Sequence, residues 1–131
     1  MEKIMCYCRS TAAGREGADE IERQIAVLQD FMDLSGVSRE NYTMYIDLGK
    51  RIVNHAGPSA MKNMLEDFDT DGCDAILMVD LTVIDDDIRL AIHFIDTQLA
   101  PRSIILIFAP ESADCFYRVY PDSIEMDVKE W

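Results

Sequence analysis

Histidine, paired cysteine and positive charge are all scarce in this sequence. Only two His occur, and the four cysteines, Cys6, Cys8, Cys73 and Cys115, include no C-x-x-C pair. A structural zinc site draws four Cys or His ligands at such spacings, so none is expected. Reduced, partly buried thiols are expected instead. No apolar run approaches the roughly 20 residues that a membrane-spanning helix needs. The opening Met1-Glu2-Lys3-Ile4-Met5 turns polar too early for a secretory signal. The expectation is a cytoplasmic chain with no membrane partner. Neither the G-x-G-x-x-G fingerprint nor a G-x-x-x-x-G-K phosphate loop occurs, which removes the glycine-rich routes to nucleotide binding. Twelve Lys and Arg stand against 25 Asp and Glu, a net charge of −13. DNA affinity rests largely on cations that neutralise phosphates, so tight unaided DNA binding is disfavoured.

What is present suits one domain with one core: 131 residues, 49% hydrophobic and 28% charged. Residues 2–8 read as a first strand, followed by a loop over 12–17. A helix over 18–35 repeats Ile21, Ile25, Leu28 and Met32 at helical spacing, with Asp19 and Glu20 at its amino end and Gly36 as its stop. Gln24 lies beside that stripe, where composition favours a plain boundary residue. Residues 41–48 read as a second strand ending at Asp47, and the loop 49–56 carries the densest basic cluster, Lys50, Arg51 and His55. Gly57-Pro58 opens the next helix, buried through Met61, Met64, Leu65 and Phe68 and stopped at Asp69–Gly72. Residues 74–81 form a third strand whose apolar middle suits a parallel strand covered on both faces. A helix over 86–99 follows, with a stripe at Ile88, Ala91, Ile92, Ile95 and Leu99. Residues 103–108 form a fourth strand. The tail is irregular apart from a weak strand at 123–128. The alternation predicts an α/β fold: a mainly parallel four- to five-stranded sheet with helices on both faces.

Chemistry in such a sheet gathers at the carboxyl ends of the strands. There the first strand delivers Tyr7-Cys8-Arg9-Ser10-Thr11. Ser10 and Thr11 offer hydroxyl nucleophiles and Arg9 a phosphate clamp, or all three simply form the turn that leaves the strand. Asp85-Asp86-Asp87 suits the start of a helix, where carboxylates cap amides and complement the macrodipole. A magnesium site built from Asp47, Asp80 and Asp85 is the sharper alternative, although no metal or cofactor is assigned.

In order and register, residues 2–108 resemble the catalytic domain of the serine recombinases, the resolvase and invertase family. The resemblance is carried by Tyr7-x-Arg9 at the end of a strand and by Gln24 ahead of Ile25 and Leu28. It continues with Asp47 before a polar loop, Pro58 at a helix start, and Met64-Leu65-Glu66-Asp67. It implies DNA strand cleavage and rejoining through a phosphoserine. Ser10 or Thr11 would be the nucleophile, with Arg9 and Tyr7 beside it and Gln24 and Asp47 as supporting polar groups. It also implies DNA, a second copy or a recombinase as partner.

The sequence departs from that family where phosphate chemistry is concentrated. The nucleophile usually lies four residues after the tyrosine, which is Thr11 here, with Ser10 one residue early. The family's Asp-Arg-Leu-x-Arg falls on Thr82, Val83, Ile84, Asp85 and Asp86, so both arginines are absent, and Gly57 stands where another arginine is usual. Neither the long dimerisation helix nor a helix-turn-helix is read within these residues. The expectation is a single resolvase-like catalytic domain, impaired or inactive. The alternative is a non-enzymatic interaction or regulatory module of the same fold.

Overall fold

The pleat of the first strand sorts the core into two. In β1 (Ile4–Ser10), successive side chains point to opposite faces. Met5 and Tyr7 join Met61, Met64, Ile76, Ile84, Ala91 and Leu106 in one apolar cluster. Ile4, Cys6 and Cys8 join Ile21, Leu28, Phe31, Met32 and Leu77 in the other. The computed structural model describes residues 3–12, 14–49 and 59–109, with the backbones of two more strands at 115–120 and 123–128.

The sheet has six strands in the order β2-β1-β3-β4-β5-β6. β2 (Tyr42–Leu48), β1, β3 (Ala75–Met78) and β4 (Leu106–Phe108) are mutually parallel. β5 (Cys115–Tyr120) and β6 (Ser123–Val128) are added antiparallel beyond β4. β1 is interior, as its uniformly buried residues require. α1 (Gly14–Leu34) covers one face, while α2 (Ala60–Asp71) and α3 (Ile88–Phe94) cover the other. This is the predicted α/β architecture, with helices on both faces of a mainly parallel sheet. The weak strand expected at 123–128 forms, and β5, read as irregular, is its antiparallel partner.

Several local expectations need correction. α1 begins at Gly14 rather than residue 18, so Asp19 and Glu20 sit inside the helix instead of at its start. Gly17 explains part of this. A Cβ there would lie 2.2 Å from the Ala12 carbonyl oxygen and 2.7 Å from Leu48 Cδ1, so the helix approaches the sheet closely only because position 17 has no side chain. α2 is capped by Ser59, whose hydroxyl accepts from the Lys62 amide at 3.1 Å; Pro58 and the basic cluster Lys50, Arg51 and His55 lie outside the described residues. Gly72, at φ 71°, ends α2 as expected. β3 stops at Met78 because Asp80 turns back to cap a 3₁₀ turn, Leu81–Val83, accepting from the Thr82 amide at 2.8 Å.

The helix expected over 86–99 divides into α3 and a π segment (Ile95–Leu99), and a 3₁₀ turn (Ala100–Arg102) continues it. A π segment adds a residue to its turn and shifts the phase of everything before it. Ala91 and Leu99 are buried as expected, but Ile88 and Ile92 are 55% and 47% exposed. Arg102 then ties the far end to α2 through a two-point contact with Asp69 at 2.8 and 3.1 Å.

Burial governs the thiols. It pushes the Cys8 thiol up to about 12. For Cys73 the shift is to about 11, again chiefly by burial, and Cys6 is raised further still. Raised values keep the groups as unreactive thiols across the neutral range. In native protein at pH 8, peptide mapping after iodoacetamide treatment should find Cys6 and Cys8 unmodified, whereas urea-unfolded protein labels at both. Rapid native labelling of either would contradict their burial.

Candidate functional site at the end of the first strand

Where β1 ends, its main chain is held from above by a glutamine. Gln24, buried on α1, accepts from the Arg9 amide at 3.1 Å and donates to the Arg9 carbonyl at 2.9 Å. It is not the boundary residue its composition suggested. Its carboxamide serves β1 as a neighbouring strand would, satisfying one donor and one acceptor.

The Arg9 side chain turns toward the α2 and α3 side and is only 3% exposed. Its Nε donates to the Val83 carbonyl at 2.7 Å and its Nη2 to the Thr82 carbonyl at 2.9 Å, with Asp86 Oδ1 a further 3.5 Å contact. Asp86 is 72% exposed at its side chain, so that last contact is screened by solvent. The two carbonyl bonds staple the 3₁₀ turn after β3 to the end of β1.

Ser10, on the opposite face, is buried. Its hydroxyl donates to Glu20 Oε2 at 2.8 Å and accepts from the Ala12 amide at 3.2 Å. Thr11, the next residue, is exposed and lines a cleft of about 320 Å³. Arg9, Gln24, Glu20, Arg23, Asp80 and Asp86 also line it, with Val27, Val79 and Val83 as apolar walls. Among the described residues, the cleft therefore holds two guanidinium-bearing residues against three carboxylate-bearing ones. Arg23 and Glu20 were not singled out from the sequence. The signal for them was helical spacing: Glu20 lies four residues before Gln24, and Arg23 three after Glu20.

Tyr7 and Asp47 do not reach the cleft. Tyr7 donates to Asp47 Oδ2 at 2.7 Å beneath α2. Asp47 also accepts from the amides of Ala60 at 2.8 Å and Met61 at 3.2 Å, so it closes the first turn of α2 from across the sheet. Burial, then the Asp47 hydrogen bond and charge, push the Tyr7 phenol above its ordinary range, which keeps it a donor. Of the six residues singled out, the cleft thus gathers Arg9, Thr11 and Gln24. Ser10 turns toward Glu20, and Tyr7 and Asp47 form a separate buried pair.

The carboxylates of the magnesium alternative are likewise dispersed. Asp47 serves α2 and Asp80 caps the 3₁₀ turn, where it also accepts from the Thr82 hydroxyl. Asp85 accepts from the Asp87 amide at 2.8 Å, and Asp87 caps α3. Among the described residues, no group of three His, Cys, Asp or Glu is placed to hold a metal ion. Asp85 and Asp87 are local capping chemistry, while Asp86 faces Arg9 across the cleft.

The comparisons fit this geometry at the level of fold. No protein-family model and no curated protein matches the chain. Among solved structures, the crystal structure of the N-terminal catalytic domain of TP901-1 integrase matches with a TM-score of 0.63. It is 21% identical and covers 82% of this chain and 77% of that one. No helix among the described residues is long and apolar enough to cross a membrane. The chain has the fold of a serine recombinase catalytic domain, as the order of its sequence landmarks implied.

Proposed function

We propose that this chain keeps the scaffold of a serine recombinase catalytic domain without its strand-transfer chemistry, and that it works in the cytoplasm as a single-domain module that contacts other proteins. The observation that carries this reading is the commitment of Arg9. In a phosphoryl-transfer site, cations must be aimed at the oxygens where negative charge develops. Here Arg9 Nε and Nη2 are aimed at the carbonyls of Val83 and Thr82. Two of the positions where the family carries its other arginines hold Val83, which is buried, and Asp86, which lines the cleft. Two like unit charges about 4 Å apart repel by roughly 4 kcal/mol at an intermediate dielectric. Among the described residues, a phosphate in this cleft would meet Glu20, Asp80 and Asp86 against Arg9 and Arg23. The net charge of −13 opposes DNA at longer range.

The test uses both hydroxyls. Supercoiled plasmid incubated with the protein and quenched with detergent should yield no protein–DNA adduct and no nicking above background. An adduct abolished by Ser10→Ala or Thr11→Ala would show a working nucleophile and overturn the proposal. Thr11 is the exposed hydroxyl of the two, and Ser10 is held by Glu20.

A further inference from the structure

Among the described residues no strand lies beyond β2, so its outer edge has no partner in the sheet. Which groups face outward follows from one bond. The Gly49 amide donates to the Ser10 carbonyl at 2.7 Å. Along a strand, successive residues turn their N–H and C=O to alternate sides. Thr43, Tyr45 and Asp47 therefore bond to β1, while Tyr42, Met44, Ile46 and Leu48 turn both groups to the open edge. Soluble proteins guard such an edge with charge, proline, a bulge or a very short strand. β2 has seven residues in unbroken register with β1 and no proline. Its one charged residue, Asp47, is turned inward to Tyr7 and α2. The strand at the other end of the sheet, β6, carries Glu125 and Asp127 in its sequence. On the α1 face of β2, Tyr42 and Met44 pack against the core, and Ile46 and Leu48 are 41% and 45% exposed.

We infer that β2 is a self-pairing edge, through which two copies of this chain join antiparallel about a two-fold axis beside Tyr45 to make one continuous sheet. This rests on the protein-contact reading above and names both the surface and the partner. A two-fold contact demands an edge that complements itself. With Tyr45 opposite its counterpart, Tyr42 falls opposite Leu48 and Met44 opposite Ile46. These are the outward-facing residues, so each pair exchanges both of its N–H···O bonds. Their side chains form apolar cross-strand pairs on the α1 face and cover Ile46 and Leu48. Asp47 stays beneath α2, so neither strand brings a charge into the seam. Main-chain bonds carry the affinity in strand addition. The edge is about 23 Å long, and helices pack about 10 Å from each face of the sheet. Two such edges bury roughly 500 Å² on each side, or about 1,000 Å² in total, which is the lower end for a specific contact. The dimer is therefore weak and reversible. The charge of −13 on each copy opposes it at long range and is screened beyond about 8 Å at physiological salt.

Sedimentation velocity between about 1 and 500 µM should show a monomer–dimer equilibrium with Kd of the order of 100 µM. The dimer should tighten by about threefold or more between roughly 50 and 300 mM NaCl, as screening relieves the repulsion. Ile46→Lys sets an ammonium opposite Met44 of the second copy. It should weaken the dimer by about tenfold or more, although it lowers the net negative charge. Circular dichroism and the melting temperature should match wild type. If they do not, Ile46→Thr replaces it, keeps the branched β carbon and should weaken the dimer by about threefold or more. Amide exchange read by NMR locates the seam: Met44, Ile46 and Leu48 should gain protection as concentration rises, whereas Thr43, Tyr45 and Asp47 are protected throughout. A monomer at every concentration would overturn the inference. So would a dimer that Ile46→Lys leaves intact, or one that leaves the outward amides of β2 exchanging freely. Growth beyond a dimer would mean open-ended pairing of β2 with β6 and would overturn the two-fold contact. A DNA adduct in the plasmid assay would sink the silent-site reading without touching this result, and a strict monomer would remove the edge contact without reviving the site.

Discussion

Replacing Asp47 with alanine should lower the unfolding free energy by about 3–5 kcal/mol, the largest effect expected of any single polar substitution here. Asp47 is buried and accepts three hydrogen bonds, from the Tyr7 hydroxyl and from the amides of Ala60 and Met61. Alanine leaves three donors without that acceptor, each at a cost of about 1–3 kcal/mol if water does not reach it. A domain of this size has roughly 5–15 kcal/mol to lose, so the variant should unfold at distinctly lower urea concentration. Tyr7→Phe should cost only about 1 kcal/mol, because it leaves Asp47 with its two helix amides and removes a single donor. A double-mutant cycle between the two positions should return a coupling of the order of 1–2 kcal/mol. An Asp47→Ala variant within about 0.5 kcal/mol of wild type would mean that the carboxylate does not close α2.

Arg9 should behave as a structural residue. Arg9→Ala is expected to cost about 3 kcal/mol of stability, from two lost hydrogen bonds to a charged donor, each worth roughly 1.5–3 kcal/mol. The lost bonds are those to Val83 and Thr82, so amide exchange should quicken first across the segment they fix, Leu81–Val83 and the turn into α3. Arg9→Lys should recover only part of the loss, because an ammonium does not present the guanidinium's flat fork of donors. A clamp kept for a phosphate would show the opposite behaviour, with stability nearly unchanged on substitution and any loss confined to DNA chemistry. Urea unfolding of Arg9→Ala beside wild type separates the two, and a change below about 0.5 kcal/mol would refute the staple.

The sequence carried the four parallel strands and their alternation with helices along the chain, because these depend on apolar runs that are long and well separated. Ile76, Leu77 and Met78 are buried on both faces and read that way. The strand Cys115–Tyr120 was hidden for a different reason: its β-prone Phe116, Tyr117, Val119 and Tyr120 lie between Pro110 and Pro121 in sequence, and its partners, β4 and β6, are known only from pairing. The exposed Ile88 and Ile92 show how far periodicity reaches. They share a helical phase with Leu99 only if the helix is regular, and the π segment between them breaks that phase. At the site, the absence of the family's arginines was visible in the sequence itself. The opposite destinations of Ser10 and Thr11 were not, since nothing local states that Glu20, ten residues on, would take the serine hydroxyl.

Gln24 grips the main chain of Arg9 through both ends of its carboxamide, which fixes the rotation of α1 about its own axis. A residue added to or removed from the short connection at 11–13 would turn the helix by about 100°, presenting Arg23 or Ile25 where Gln24 now bonds. That connection is consequently intolerant of length change, although Thr11 is exposed and Ala12 half-buried.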